Sequence, residues 1–372
     1  MTALRTVVVD AASGRCPIEI ARGLVRHVGN GMVAVGLRPV RAAVVHDSGV
    51  PLDAFAAVED SLRAASIDPV RIGISGGESG KSLEAVAAVA ARMLDAGIDR
   101  TGAVVAVGGG VVGDVAGFVA ATYMRGVACV QVPTTLLAMV DASVGGKTAV
   151  NLQRIDGSIA KNAVGAFAQP RLVACDPEVL GTLPGRELRS GLAECVKHGV
   201  VADRAMLAWI RGSADRLLAH DPDTLCELVE RNVRIKAEVV SRDEREAGPR
   251  EALNLGHTFA HAIEAMLHAQ CTHGEAVGIG MVAACTVVRE LGAEGADELE
   301  AEVRETLGTL GLPVRMPAPR PVAALRAAMD TDKKRRGGAL RLVLPFGPND
   351  VRTLAGVPEP IVERAWRAVG AA

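Results

Sequence analysis

Two histidines four residues apart, His257 and His261 in LNLGHTFAHAIEA, fall on one face of any helix that carries them. His273 follows in CTHGE at the start of the next helical pattern. Glu194 sits inside the apolar pattern GLAECVKHG, where a carboxylate needs a cation. Catalytic zinc takes three nitrogen or oxygen ligands and keeps a further position open. A histidine pair at this spacing is by itself commonly structural; its conjunction with Glu194, the His273 segment and a nucleotide-type sheet points to a divalent metal. The residues leave both His257 and His261 open as the ligand.

A second chemistry is written around GGGVVGD, Gly108 to Asp114, which follows the apolar run AVVAV and opens the helical pattern VAGFVAAT. Backbone N–H groups without side chains can approach a pyrophosphate there, and the helix start adds its positive dipole end. Asp47 is the candidate ribose-binding acid. It ends an earlier strand, whereas the usual dinucleotide fingerprint puts this acid about twenty residues after the glycines. Glu78-Ser-Gly-Lys81 ends another strand and offers a cation to a phosphate or ribose oxygen. Polar groups then enter a near-apolar stretch at Thr134, Thr135, Asp141, Lys147, Lys161 and Asn162, which suits the wall of a cleft. Lys236, Arg250, Lys333 and Lys334 add positive charge near the metal segments in sequence.

The elements that must position these groups alternate up to about residue 175. Thr6 to Val9, Ala42 to Val45, Val70 to Ile74, Ala103 to Val107 and Ala128 to Val132 read as strands; Pro51 to Ala65 and Leu83 to Ala96 read as amphipathic helices. Such alternation predicts a mainly parallel sheet covered by helices, with ligands at the carboxyl ends of its strands. Beyond Asp176 the rhythm becomes helical: Leu188 to His198, Arg204 to Ala219, Thr224 to Val240, Leu253 to Ala269 and Glu275 to Leu291. A strand pattern returns only at Ala339 to Leu344. The expected architecture is an α/β Rossmann-like nucleotide-binding domain over 1–175 and a mostly α-helical metal-binding domain over 176–372.

Composition narrows the function. The 372 residues are 49% apolar and only 2% aromatic, and 41 Lys plus Arg balance 43 Asp plus Glu. There is neither a broad cationic field nor an aromatic platform for nucleic acid. The seven cysteines include no C-x-x-C pair, which fits reduced thiols and a cytoplasmic protein. No signal peptide or membrane-spanning run is read in the sequence: the longest apolar window, Ala103 to Ala121, carries Asp114 and five glycines.

GGGVVGD, ATYMRG, PTTLLAMVDASVGGKT, GLAECVKHG, IKAEVVSRDERE and LNLGHTFAHAIEA followed by HGEAVGIGM resemble, in the same order, segments of the 3-dehydroquinate synthases within the sugar-phosphate cyclase family. The resemblance runs from about Asp47 to Leu344. It implies NAD bound by the first domain, Zn2+ or Co2+ by the second, a homodimer, and an active site in the cleft between the domains. It assigns the metal to Glu194, His257 and His273, and makes His261 a phosphate contact and proton-transfer partner. NAD would be held by Asp47, Glu78, Lys81, Gly109, Gly110, Asp114, Thr134, Thr135 and Thr182, with Lys161 near the nicotinamide. Substrate would meet Asp141, Lys147, Asn162, Lys197, Lys236, Arg250, Asn254, His261 and Lys333 or Lys334, with Arg125 reaching across from the partner subunit.

The implied reaction converts 3-deoxy-D-arabino-heptulosonate 7-phosphate to 3-dehydroquinate and phosphate, a step of aromatic amino acid biosynthesis in the shikimate pathway. NAD oxidises one hydroxyl transiently, phosphate leaves, hydride returns, and the opened ring recloses as a carbocycle. Arg250 and Asn254 favour a carboxylate-bearing substrate over the valiolone-type and deoxyinosose-type branches, because a guanidinium gives a bidentate fork to a carboxylate. The amino variant keeps the same carboxylate and is an alternative, as is a metal-dependent alcohol or polyol dehydrogenase. The chain departs from the family's pattern in three places: a longer segment between Asn151 and Lys161, Ala160 where a glycine commonly precedes Lys-Asn, and Gly49 where an asparagine often contacts the adenosine ribose.

Overall fold

The computed structural model describes residues 3–267, 270–335, 340–347 and 349–372, with the side chains of 330–335 outside the description. Its contacts divide the chain into two compact units: Met1–Leu183 with Pro222–Arg245, and Pro184–Asp221 with Glu246–Ala372.

The first unit is built on a seven-stranded sheet. Its strands are β1 (Arg5–Ala11), β2 (Gly14–Ile20), β3 (Arg41–His46), β4 (Asp68–Gly73), β5 (Ala103–Gly108), β6 (Ala128–Pro133) and, after the separate hairpin β7 (Lys147–Gln153) and β8 (Ile159–Phe167), β9 (Leu172–Cys175). The spatial order is β1-β2-β9-β6-β5-β3-β4. Only the β1–β2 pair is antiparallel; β2 through β4 run parallel. β5 is buried along its whole length, as a parallel strand covered on both faces should be, and reads as unbroken AVVAVG. The chain leaves β3 toward the β4 edge and continues from β5 toward β6, so the order reverses between β3 and β5. Ligands collect outside the strand ends at such a switch point.

The helices of this unit's first segment are α1 (Val28–Ala34), α2 (Leu52–Ala64), α3 (Leu83–Asp95) and α4 (Gly110–Thr122). Ser82 caps α3 by accepting from the Ala85 N–H. β2 escaped the sequence reading because Pro17 lies within it. Pairing of β2 to β9 begins only at Ile18, so the missing N–H of Pro17 costs that ladder nothing.

The second unit holds α5 (Gly185–Ala202), α6 (Arg204–Gly212) and α7 (Ala214–Leu218). After α8 (Pro222–Arg242), which belongs to the first unit, come α9 (His257–Leu267), α10 (His273–Glu290), α11 (Ala296–Thr309), α12 (Val322–Arg335), a hairpin β10 (Arg341–Gly347) and β11 (Asp350–Ala355), and α13 (Glu359–Ala368). The helix expected over Arg204 to Ala219 is broken at Ser213. Ala269 and Ala339 lie outside the described residues.

The expected boundary at 175/176 is corrected in two ways. The first division falls after Leu183, and α8 returns to the sheet unit. The hairpin β1–β2 buries Val7, Val9 and Ile18, and α8, which packs against it, buries Leu225, Leu228, Val229 and Val233. Arg5 pairs with Glu230 at 2.7 Å, and Ser241 Oγ accepts the Asp10 N–H at 2.9 Å. Helical periodicity reports that a helix has an apolar face but not which partner buries it.

Candidate active site

In the helical unit, glycines set the convergence. A Cβ on Gly274 would lie 2.1 Å from the Ser190 carbonyl oxygen, so α10 can meet α5 here only because Gly274 has no side chain. Gly256 has φ +77, and a Cβ there would lie 2.7 Å from the Met281 nitrogen, so the residue before α9 must be glycine on both counts. These close approaches put His257 at the first position of α9 and His273 at the first position of α10, both facing Glu194 on α5.

The donor atoms of Glu194, His257 and His273 all lie within 4.8 Å of one another. His273 Nε2 is 3.3 Å and His257 Nε2 3.7 Å from Glu194 Oε1, while Lys197 Nζ pairs with Glu194 Oε2. Glu194 is 0% exposed and Lys197 1%, so the carboxylate is compensated entirely by neighbouring groups. Each imidazole is oriented from behind. His257 Nδ1 donates to the Leu255 carbonyl at 3.2 Å, and His273 Nδ1 to Glu264 Oε1 at 3.2 Å, which turns both Nε2 atoms toward Glu194.

Burial, then the Lys197 ammonium, push the His257 imidazole down to about 3, leaving a neutral ring with a lone pair to give. Burial also opposes charge on His273, but Glu194 and Glu264 outweigh it and lift that ring to about 10. The two carboxylates that draw a proton to His273 would draw a divalent cation in its place. One carboxylate and two imidazoles form a donor set that Zn2+ or Co2+ accepts. His261, one turn along α9, is exposed, with its ring 5.7 Å from that of His257. Arg250 and Asn254 lie on the 3₁₀ turn Pro249–Asn254; Arg250 is only 2% exposed, and Asn254 Nδ2 donates to Glu246. The side chains of Lys333 and Lys334, on α12, fall outside the described residues.

In the sheet unit, the predicted cofactor residues gather at strand ends. β3 lies directly beside β5, with His46 opposite Val107, so Asp47 comes beside Gly108 although it precedes it by about sixty residues in the chain. Gly49 N–H donates to Asp47 Oδ1 at 3.0 Å, so the glycine that departs from the family's pattern turns the chain around the carboxylate. Gly109 caps α4 with no side-chain bond to the helix N–H groups; a Cβ there would lie 3.2 Å from Thr135 Cγ2, and one on Gly110 3.4 Å from Ala142. This is a cradle that side chains would fill, and it fits a pyrophosphate. Thr134 N–H bonds to the Gly108 carbonyl at 3.0 Å, and Thr135 Oγ1 accepts from Ala138.

Asp114, one turn into α4, pairs with Lys81 at 2.5 Å; burial raises its carboxyl above the usual range and Lys81 draws it back. Lys81 also donates to Asn162 Oδ1 at 2.5 Å. The 3₁₀ turn Glu78–Gly80 supplies Glu78, whose Oε1 accepts from Asn151 Nδ2 at 2.7 Å. Asn151 marked only a loop boundary in the sequence; its partners are visible only in the folded chain. Asp141 lies on a π-helical turn, Ala138–Ala142, and pairs with Lys236 of α8. Lys147 opens β7 and Lys161 lies on β8, both exposed. Thr182 is exposed at the end of the 3₁₀ turn Pro177–Thr182, and Arg125 is exposed at the end of the turn Tyr123–Arg125, with φ 67.

A glycine cradle at the switch point of a parallel sheet, in a chain whose helical unit gathers an acid and two imidazoles, defines a class of two-unit enzymes built for a nucleotide and a metal. Profiles of the 3-dehydroquinate synthase N-terminal and C-terminal domains match residues 71–190 and 191–335. A 3-dehydroquinate synthase of Symbiobacterium thermophilum is 44% identical over 92% of this chain and 94% of its own length. Among solved structures, a 2-deoxy-scyllo-inosose synthase complexed with carbaglucose-6-phosphate, NAD+ and Co2+ superposes with TM-score 0.87 at 26% identity, covering 98% of this chain and 99% of its own. A 2-epi-5-epi-valiolone synthase of Streptomyces hygroscopicus with NAD+ and Zn2+ bound gives 0.84 at 29%, covering 99% and 98%. The chain belongs to the 3-dehydroquinate synthase family.

Proposed function

We propose that this enzyme converts 3-deoxy-D-arabino-heptulosonate 7-phosphate to 3-dehydroquinate and inorganic phosphate, with NAD and a divalent metal as resident cofactors. The observation that carries the reading is the convergence of Glu194, His257 and His273 in a chain that matches this family over most of its length. Glu194, His257 and His273 would hold Zn2+ or Co2+; Asp47, Glu78, Lys81, Gly109, Gly110, Asp114, Thr134, Thr135, Lys161 and Thr182 would hold NAD. When bound, the ion would supply a Lewis acid and the oxidised nucleotide an acceptor that takes a hydride from the substrate and gives it back.

The chain's own groups do the remaining work. Arg250 takes the substrate carboxylate as a bidentate fork, and its burial strengthens that charge-assisted contact. Asn254, Asn162, Lys147, Lys197 and Lys236 orient hydroxyl and phosphate oxygens. Asp141, held by Lys236, fixes one hydroxyl. His261, at the exposed surface of α9, contacts the substrate phosphate and relays its proton. Arg125 of the partner subunit completes the site of a cytoplasmic homodimer. The seven cysteines, all free and buried, support a reducing compartment, and among the described residues no helix is long and apolar enough to cross a membrane.

Purified protein given NAD and Zn2+ is expected to release phosphate from the seven-carbon acid phosphate with no net NADH. Stoichiometric NADH would instead make it a dehydrogenase. Turnover of the nitrogen-containing analogue in preference to the oxygen substrate, read by product mass, would assign the amino variant.

A further inference from the structure

We propose that Asn151 is a positioning residue that locks the cofactor-side Glu78 and the substrate-side Asn162 into one hydrogen-bonded unit. The inference rests on the reading of Glu78 as a cofactor contact. Asn151 is 9% exposed and lies where the β7–β8 register shifts, between Val150 and Leu152. The extra residues of that bulge lie on β8, where 161–163, Asn162 among them, stand opposite the single residue Asn151. Here it sits among four bonds. Its Nδ2 donates to Glu78 Oε1 at 2.7 Å, its Oδ1 accepts the Asn162 N–H at 2.9 Å, its own N–H donates to the Lys81 carbonyl at 2.9 Å, and Nδ2 also lies 3.4 Å from the Glu78 carbonyl.

The partner residue gives the arrangement its purpose. Asn162 has φ 51, a left-handed backbone that a non-glycine residue adopts at a cost, inside a strand whose ordinary backbone is extended. The Asn151 side-chain oxygen holds its N–H in that conformation, and the turned Asn162 side chain accepts from Lys81, which in turn pairs with Asp114. One amide thus orients an acid on the cofactor side with its donor and an amide on the substrate side with its acceptor. Aspartate in its place keeps the acceptor but sets a carboxylate against Glu78. Leucine would lose both bonds.

The test is NAD binding by calorimetry, without turnover, across a cycle of wild type, Asn151→Asp, Glu78→Gln and the double variant. A hydrogen bond to a charged group exchanged for like-charge contact is expected to weaken NAD binding about 10-fold or more for Asn151→Asp in the wild-type background. In the Glu78→Gln background the new side-chain amide at position 78 can donate to the aspartate, so the same substitution is expected to change NAD binding less than about twofold. Equal weakening in both backgrounds, or none in either, overturns the proposal. A wild type that binds no NAD overturns the cofactor reading instead. If Asn151→Asp does not fold, Asn151→Ser takes its place in the cycle; the serine hydroxyl cannot span to Glu78, and its penalty must still depend on whether residue 78 is charged.

Discussion

The two units build their halves of the chemistry in opposite ways. In the helical unit the site is made of side chains that carry or attract charge: Glu194 and Lys197 are buried, His257 and His273 are partly exposed, and each of these imidazoles is braced through Nδ1. In the sheet unit the cradle is largely backbone, with Gly109 and Gly110 at a helix start and Asp47, Thr134 and Thr135 at neighbouring strand ends. A buried ionic cluster must be complete to be tolerated, because each uncompensated charge costs several kcal/mol (about 3–5 when one partner is removed). A backbone cradle stands empty at little cost and is spoiled mainly by bulk. Lesions in the two halves should therefore differ in kind, and each should leave the other half's ligand affinity unchanged.

The largest effect is expected from His257→Ala, which removes one donor while Glu194 keeps Lys197 and His273. Zinc content after dialysis should fall below roughly one-tenth, and phosphate release by roughly 1000-fold, the scale of several kcal/mol of Lewis-acid stabilisation. NAD binding should stay within about twofold of wild type, and a parallel loss would erase the contrast between the halves. Next is Glu264→Ala, which leaves the ligands in place and removes the brace behind His273. Zinc affinity measured with a competing chelator should drop about 10–100-fold. An unchanged affinity would show that His273 needs no brace.

Gly109→Ala reverses the direction. The added methyl meets Thr135 in the cradle, so NAD affinity should weaken about 10-fold while zinc affinity holds. The smallest functional change, but a clear loss of stability, is expected for Gly274→Ala. Pressing a Cβ against the Ser190 carbonyl should cost about 1–3 kcal/mol in urea unfolding. Zinc affinity should fall with stability, because the same contact sets the distance between α5 and α10. A fully stable variant would show that these helices can part without consequence.

Much of the architecture follows from local pattern. The five strands read from apolar runs, and the helices over Pro51 to Ala65 and Leu83 to Ala96, recur within one or two residues at most ends. Segments whose signal is non-local were missed or misassigned. β2 contains Pro17, β7 mixes Lys147, Thr148, Asn151 and Gln153 into seven residues, β8 is interrupted by Lys161, Asn162 and Gly165, and α8 looks like any amphipathic helix until β1 is beside it. Asp47 precedes the glycines in the chain, against the order of the dinucleotide fingerprint, because adjacency at the strand ends is set by the pairing of β3 with β5 and not by chain order. Glu264 and Asn151 carried no signal: one is an acid on an amphipathic helix and the other an amide before a turn, until His273, Glu78 and Asn162 come near.

By itself the sequence determined the donor types, the one-turn spacing of His257 and His261, and the glycines that follow a buried strand, since each depends on residues a few positions apart. The tertiary structure decided which of the two histidines faces Glu194 and which acid lies beside the glycine cradle. Those choices depend on close backbone approaches, Gly274 against Ser190, Gly256 against Met281 and β3 against β5, between segments far apart in the chain. No local rule of side-chain spacing encodes a contact of that kind.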